Sequence, residues 1–139
     1  MYTYHIALRL RDTDAVGGIY FANLFNLAQE ALEAFIDSAD LDIGTVLRDT
    51  SFIFPVVHAE ADIHHPILPG QKLRVQLTLH HMGTTSFTLC HRILPKENHT
   101  SMATIRIVHV VVDRATGRKQ PVPEELRAIL DRLTERPMP

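Results

Sequence analysis

The chain has 139 residues, of which 45% are hydrophobic and 22% charged, a balance that is typical of a globular protein and excludes a disordered one. Its 14 Lys and Arg against 16 Asp and Glu give a net charge of −2, which argues against a general nucleic-acid binder. With one cysteine, Cys90, and no long apolar run to indicate a signal peptide or a membrane span, we expect a single cytoplasmic domain over residues 1–139.

The first predicted elements are a strand and a long helix, separated by an acidic loop. Residues 2–11 alternate between apolar and polar, which predicts a half-buried strand. The stretch RDTDAVGG (11–18) is rich in Asp and Gly, as loops are. Over residues 21–39 apolar side chains recur at helical spacing, and their wide stripe indicates the core helix.

The rest of the chain predicts a short helix over residues 41–48, an antiparallel meander and a closing helix. Pro123 suits the first turn of that last helix. A single long helix with a broad apolar face needs a sheet to cover it. We therefore predict an α+β fold in which a curved antiparallel sheet wraps one core helix. The predicted strands of the meander are 54–64, 73–79, 87–93 and 104–113.

Two aspartates in the loop, Asp12 and Asp14, are the strongest candidates for chemistry. They come just before the core helix, whose first N–H groups and partial positive charge favour a developing oxyanion. Gly17 and Gly18 permit a close approach of the backbone to a ligand. Asp and Gly are also common in turns and helix caps, so on the residues alone a purely structural role stays open.

The segment RDTDAVGGIYFANLFNLAQEALEAF (11–35) resembles the signature of the 4-hydroxybenzoyl-CoA thioesterase family, a branch of the hotdog-fold acyl-CoA thioesterases. HPILPGQKLRVQLTL, GTTSFTLCHRI and VHVVVDRATGRKQPVPEELRAIL resemble later parts of that family, and FPVVHAEADIHHP is similar to its 1,4-dihydroxy-2-naphthoyl-CoA hydrolases. The sequence departs from the pattern at Gly18, where branched apolar residues are common, and at His64-His65. The matching residues of the signature are Asp12, Asp14, Gly17, Tyr20, Phe21 and Asn23.

The resemblance implies that Asp14 is the catalytic carboxylate and that the backbone N–H of Phe21 polarises the thioester carbonyl. Asp14 would either attack the carbonyl to give a mixed anhydride or activate a water as a general base, and the sequence does not separate these two roles. The expected substrate contacts are Gly17, Gly18, Tyr20, His58 and Gln29, the last at the edge of the apolar stripe.

Several other residues offer rival or additional roles. Glu30 and Glu33 would carry the acid on the core helix, as in another hotdog branch, although the helical period places both on its solvated face. His91 and His109 fall in apolar strands and are expected to be hydrogen-bonded core or interface residues. The cations that either meet CoA phosphates or lie on wet strand faces are Lys72, Arg74, Arg92 and Arg106.

The function that these features predict is an acyl-CoA thioesterase, with an aromatic acyl group favoured and with neither a metal nor a cofactor. A short-chain acyl-CoA or acyl-carrier-protein thioesterase is the alternative within this class. A non-catalytic acyl-CoA-binding module is an alternative from another class, and a dehydratase is a weaker one. Because a lone sheet leaves unpaired edges, we expect a homodimer that joins edge to edge and pairs again into a tetramer.

Overall fold

A 16-residue helix, α1 (Asn23–Ser38), packs across one face of a five-stranded antiparallel sheet. The computed structural model describes residues 1–15, 17–39, 41 and 43–134. The sheet has the strand order β1-β4-β5-β6-β3, and a separate two-stranded sheet joins β2 to β7. The remaining elements are β1 (Tyr2–Ala7), a 3₁₀ helix (Leu10–Asp12), α2 (Ile43–Asp49), β2 (Phe52–Ile53), β3 (Val56–Ile63), β4 (Lys72–Met82), β5 (Ser86–Pro95), β6 (Ala103–Val110), β7 (Val112–Asp113) and α3 (Glu124–Asp131).

The core lies between α1 and the sheet face that the helix covers. On the helix the buried side chains recur every three or four residues, and three of them, Leu24, Ala28 and Ala31, are fully buried. On the sheet they alternate along each strand, as in Val75 and Leu77 on β4 or Ile105 and Ile107 on β6. The α+β prediction is therefore confirmed. The buried side chains of the helix, which recur with the helical period, pack against the buried side chains that alternate along the strands.

Three predicted boundaries shift. The first strand was expected to reach residue 11 but ends at Ala7; Leu8 still bonds in register to Gln71 (3.0 Å), and the 3₁₀ helix then turns the chain away. The last predicted strand divides after Val110, because residues 112–113 pair with β2 and no longer with β5. The predicted short helix is confirmed as α2, displaced by about two residues.

His91 is a polar residue at the centre of this apolar core. It is fully buried on β5, with Leu77 and Ile105 as its cross-strand neighbours, and neither ring nitrogen has a hydrogen-bond partner among the described residues. The expectation of a hydrogen-bonded histidine is thus wrong here, because the register surrounds the ring with aliphatic side chains. Burial, and to a smaller degree the nearby His109, lowers the pKa of His91 to about 3, so the ring is neutral.

Within the described ranges, no helix combines the length and the apolarity that crossing a membrane requires.

Candidate active site

The acidic loop folds back on itself as a tight turn that leaves Asp14 exposed. Thr13 and Ile19 form an antiparallel bridge at its base. Inside it, the N–H of Asp14 donates to the carbonyl of Gly18 (2.9 Å), and the N–H of Gly17 donates to the carbonyl of Asp14 (3.2 Å). Gly17 has a φ of +85°, a conformation that side chains with a Cβ disfavour. These bonds hold the backbone on both sides of the turn, at residues 13–14 and 17–19, and Asp14 is exposed.

Asp12 ties this loop to the elements on either side of it. Its carboxylate accepts a hydrogen bond from the N–H of Arg9 (3.0 Å). Its carbonyl accepts two more, from the N–H of Tyr20 (2.8 Å) and from the side-chain amide of Asn23 (3.1 Å). The two aspartates of the DxD pair therefore have different surroundings: Asp12 is committed to internal bonds that join the 3₁₀ helix to the start of α1.

The loop is also anchored to the segment that follows β3. The N–H of Ile19 donates to the carbonyl of Ile67 (2.9 Å), and both side chains are buried. Gly18 lies over the same carbonyl, which is 3.7 Å from the position of an added Cβ, an ordinary contact distance. The branched apolar residue that is common here in the resembling family would consequently find space, and Gly18 is not required by backbone geometry.

The start of α1 offers backbone donors beside this loop. The N–H groups of Asn23, Leu24 and Phe25 are used within the first turn. The N–H groups of Phe21 and Ala22 bond to no atom in the part of the chain that the structure describes. Phe21 is 59% exposed, and its ring packs against that of Tyr20 with 5.0 Å between centroids. Two open donors at a helix N-terminus can stabilise an oxyanion.

The predicted substrate contacts divide into three places. Gly17, Gly18 and Tyr20 lie with Asp14 in the acidic loop or at its end. Gln29 lies elsewhere, eight residues beyond Phe21 and hence about 12 Å along the helix axis. It lines a groove of about 290 Å³ between α1 and the start of β3, which we call the acyl groove. The residues that line the acyl groove are Gln29, Leu32, Glu33, Phe54, Pro55, Val56 and His109.

His58 is not brought to either place within one chain. On β3 it pairs with Val108 of β6, and it lies 4.0 Å from Glu60 (Nε2 to Oε1), two residues further along the strand. Ala61, which alternates with these two residues, packs against the core under α1. His58 and Glu60 therefore lie on the opposite, outer face of the sheet, and a substrate contact by His58 stays a prediction.

The rival acids Glu30 and Glu33 are both exposed on α1, as the helical period predicted. They line different grooves: Glu33 lies in the acyl groove, and Glu30 lies in a groove of about 490 Å³ between α1 and β1. This second groove also contains Arg9 and Arg11, two cations beside the acidic loop that the sequence analysis did not single out. The signal was available, because both flank the DxD pair in the sequence RLRD.

The four cations proposed for CoA phosphates lie on other surfaces. Arg74 is committed to structure, since its guanidinium donates to the carbonyls of Pro95 (3.3 Å) and Asn98 (2.7 Å) and so supports the β5–β6 turn. Arg92 and Arg106 alternate with buried core residues and therefore lie on the outer face of the sheet. Lys72 is exposed at the start of β4. None of the four lines the groove that Arg9, Arg11 and Asp12 form beside the acidic loop.

His109 is one of the residues that line the acyl groove, and it is nearly fully buried. Its Nδ1 lies 2.9 Å from the carbonyl oxygen of Phe54, and its ring stacks on Phe87 with 5.0 Å between centroids and 13° between planes. Its Nε2 is buried with no hydrogen-bond partner among the described residues. Burial lowers the pKa of His109, against a smaller opposing effect of the bond to Phe54.

Residues 1–15, 17–39, 41 and 43–134 contain no group of three or more His, Cys, Asp or Glu side chains placed to hold a metal ion.

Known proteins are similar to this chain in sequence. The sequence profile of the thioesterase-like superfamily matches residues 8–130. The 1,4-dihydroxy-2-naphthoyl-CoA hydrolase of Synechococcus elongatus is 33% identical over 127 residues, which cover 91% of this chain and 92% of that protein. The protein of the same name from Rippkaea orientalis is 32% identical over 127 residues, with the same coverage of both chains. The residues that the superfamily profile matches include the acidic loop, the helix start and the residues that line the acyl groove.

A similar fold is found among solved structures. The crystal structure of a 1,4-dihydroxy-2-naphthoyl-CoA thioesterase from Synechocystis superposes with a TM-score of 0.86 at 27% sequence identity. The superposition covers 95% of this chain and 96% of that one. The likeness thus extends over nearly the whole chain in sequence and in architecture.

Proposed function

The chain belongs to the thioesterase-like superfamily, and we propose that it hydrolyses the thioester of an acyl-CoA to the free acid and CoA, with an aromatic acyl group as its substrate class. The relatives named 1,4-dihydroxy-2-naphthoyl-CoA hydrolase support the aromatic preference. The observation that carries the proposal is the acidic loop, where an exposed carboxylate, Asp14, precedes a helix start with two open N–H groups.

The helix start would bind the thioester carbonyl. As the carbonyl carbon becomes tetrahedral, its oxygen gains negative charge, and the N–H of Phe21 would donate to it. The partial positive charge of the α1 N-terminus favours the same oxyanion. Because these donors belong to a backbone that Asp12 fixes through three hydrogen bonds, they need little reorganisation during the reaction.

Asp14 would supply the second half of the chemistry. As a nucleophile, its carboxylate oxygen bonds to the carbonyl carbon, the C–S bond breaks, CoA leaves as a thiolate, and water then hydrolyses the mixed anhydride. As a general base, it takes a proton from a water whose oxygen attacks the same carbon. Both routes use one carboxylate and one oxyanion site, and a thiolate leaves without a dedicated proton donor.

We further propose a homodimer through β3, with two dimers pairing into a tetramer in the cytoplasm. Strand β3 is an edge of the sheet, and it exposes Val56 (43%), Val57 (58%) and Ile63 (51%). Unpaired apolar edges of this kind favour pairing with a second chain. If two copies of β3 pair antiparallel about their middle, Val56 lies opposite Ile63 of the partner subunit, since paired positions have a constant sum.

This pairing would complete the site. Ile63 ends β3, and four residues later Ile67 anchors the acidic loop through Ile19. The acidic loop of each subunit would therefore lie beside Val56 of the other, which lines the acyl groove. In this arrangement one subunit supplies Asp14 and the helix start, and its partner supplies the groove that receives the acyl group.

The test is Asp14→Asn, which keeps the shape of the side chain and removes its charge. We expect turnover of 1,4-dihydroxy-2-naphthoyl-CoA, measured by release of free thiol, to fall by about 10²–10⁴-fold with little change in KM. Glu30→Gln and Glu33→Gln test the rival placement of the acid on α1, and both should keep normal turnover. Near-normal hydrolysis by Asp14→Asn together with loss of turnover in either glutamate variant would contradict the assignment.

A further inference from the structure

We propose that Phe54 limits the length of the acyl group, because its ring separates the acyl groove from an apolar cavity in the core. A compact acyl group would fit the groove, whereas a long chain would need the space behind the ring. This inference rests on the proposed thioesterase function and adds the residue that would determine which acyl groups are accepted. It starts from the observation that the groove and the cavity share Phe54 as a wall.

The cavity lies between the C-terminal half of α1, the helices α2 and α3, and the sheet, and we call it the inner cavity. Its volume is about 20 Å³, and every side chain that lines it is aliphatic or aromatic, including Leu32 of α1, Phe87 of β5 and Ile129 of α3. A space of this size holds one small group, and its side chains offer a water no hydrogen bond. The inner cavity would therefore favour methylene groups over water once they had access to it.

The ring of Phe54 lies between these two spaces. Its centroid is 6.0 Å from that of Phe87, which lines the inner cavity, and 5.7 Å from that of His109, which lines the acyl groove. Leu32 also lines both spaces, but it is only 6% exposed. Phe54 is half-buried, so it contacts the core and also reaches the open groove. Its ring is thus the part of the shared wall that a bound acyl group would meet.

Hydrogen bonds and core contacts fix the position of this ring. The carbonyl of Phe54 accepts a hydrogen bond from Nδ1 of His109 (2.9 Å), and the carbonyl of Pro55 accepts one from the N–H of Val110 (3.1 Å). The side chain packs on the core cluster that contains Phe87. A long acyl chain would have to break these core contacts to pass the ring, so its last methylenes would stay in water. Each methylene that is buried instead strengthens binding about fourfold.

The experiment measures the binding of two thioethers, S-hexyl-CoA and S-decyl-CoA, by isothermal titration calorimetry. They resemble acyl-CoA but lack its carbonyl, so binding is measured without turnover. We call the Kd of the hexyl compound divided by that of the decyl compound the chain-length ratio. For the wild type we expect a ratio near 1. For Phe54→Ala we expect a ratio about 10- to 100-fold higher, because about two to three further methylenes would enter the space that the ring leaves.

An unchanged chain-length ratio in Phe54→Ala would overturn the inference, and so would a wild-type ratio that already reaches this range. If Phe54→Ala fails to fold, Phe54→Leu takes its place, because leucine keeps most of the core contacts. Its ratio should rise about two- to fourfold over the wild type, and no rise would overturn the inference.

Hydrolysis of 1,4-dihydroxy-2-naphthoyl-CoA, followed in parallel by release of free thiol, separates this inference from the proposed function. A protein that binds the thioethers as expected but does not hydrolyse that thioester would contradict the proposed function alone. A protein that binds neither thioether would contradict both.

Two further variants test whether the gain comes from the inner cavity. Ile129→Phe, added to Phe54→Ala, fills that cavity and should return the chain-length ratio close to the wild-type value. Phe25→Ala removes the same atoms from another half-buried phenylalanine, which packs on the other core cluster, and should keep the wild-type ratio. An equal rise in Phe25→Ala would show general loosening of the core and would overturn the inference, as would a double variant that retains the full gain.

Discussion

Replacing His91 with leucine should stabilise the protein and reduce its sensitivity to acid. His91 is fully buried between Leu77 and Ile105 with both ring nitrogens unpaired among the described residues. A buried polar group without a partner costs about 1–3 kcal/mol, and an apolar side chain of similar size removes that cost. We therefore expect His91→Leu to raise the free energy of unfolding at pH 7 by about 1–2 kcal/mol.

The stability advantage of His91→Leu over the wild type should grow as the pH falls, because the pKa of His91 in the folded state, about 3, is below its ordinary value of 6.5. Between these two values the unfolded chain binds a proton that the folded chain does not, so the wild-type protein loses about 1.4 kcal/mol per pH unit through this residue. Above pH 6.5 the full stability is present. At pH 4.5 the free energy of unfolding of the variant should exceed that of the wild type by about 2–3 kcal/mol more than it does at pH 7.

Urea unfolding at a series of pH values measures this difference. The chain has no tryptophan, so far-ultraviolet circular dichroism is the suitable signal, and the protein concentration must stay constant because an oligomer unfolds in a concentration-dependent way. His99→Leu removes an exposed histidine and should follow the wild-type curve. Parallel pH curves for wild type and His91→Leu, or a less stable variant at pH 7, would refute the reasoning.

Three further predictions follow from the acidic loop and the sheet edge. Gly17→Ala should lower the free energy of unfolding by about 1–2 kcal/mol in thermal unfolding, because the φ of Gly17 is +85°. Gly18→Ala should unfold like the wild type, since an added Cβ has space there. Equal losses of stability in the two variants would contradict the reasoning. Asp12→Ala should lower the free energy of unfolding by about 0.5–2 kcal/mol in the same assay, because the N–H of Arg9 loses its acceptor. Asp12→Asn keeps an acceptor, so it should recover most of that stability and retain turnover. A folded but inactive Asp12→Asn would assign chemistry to this residue. Val57→Lys places a charge on the exposed edge strand β3 and should prevent two copies of that strand from pairing. We expect the variant to sediment as a monomer and to lose turnover. An unchanged sedimentation coefficient would exclude β3 as the interface.

The fold was largely predictable because its main signals are local. The helical period over residues 21–39 and the alternation along the meander depend on neighbours in the sequence, and both appear in the structure. The missed boundaries depend on distant partners. The last predicted strand passes from β5 to β2 after Val110, and no local pattern encodes that change of partner. A bulge between Val56 and His58 likewise interrupts the predicted alternation of β3.

The part of the candidate site that is local in the sequence was predictable, and the part assembled from distant segments was not. The acidic loop is contiguous in the sequence, so its composition and its family resemblance were enough to single out Asp14 and Phe21. The acyl groove is assembled from α1, the segment before β3, and β6, and it depends on the sheet order. His109 was expected to be a hydrogen-bonded core or interface residue, and only the side-chain geometry shows that one ring nitrogen is bonded while the other has no partner within the described chain.

The bond between Ile19 and Ile67 has a consequence for genetics. In the proposed dimer it keeps each acidic loop at the end of its own edge strand, and so beside the groove of the other subunit. A chain that carries Asp14→Asn and a chain whose acyl groove is filled by a larger side chain would then fail in different halves of a shared site. Co-expressed, half of the mixed assemblies' sites would combine an intact loop with an intact groove, so two defective alleles would complement each other in one cell.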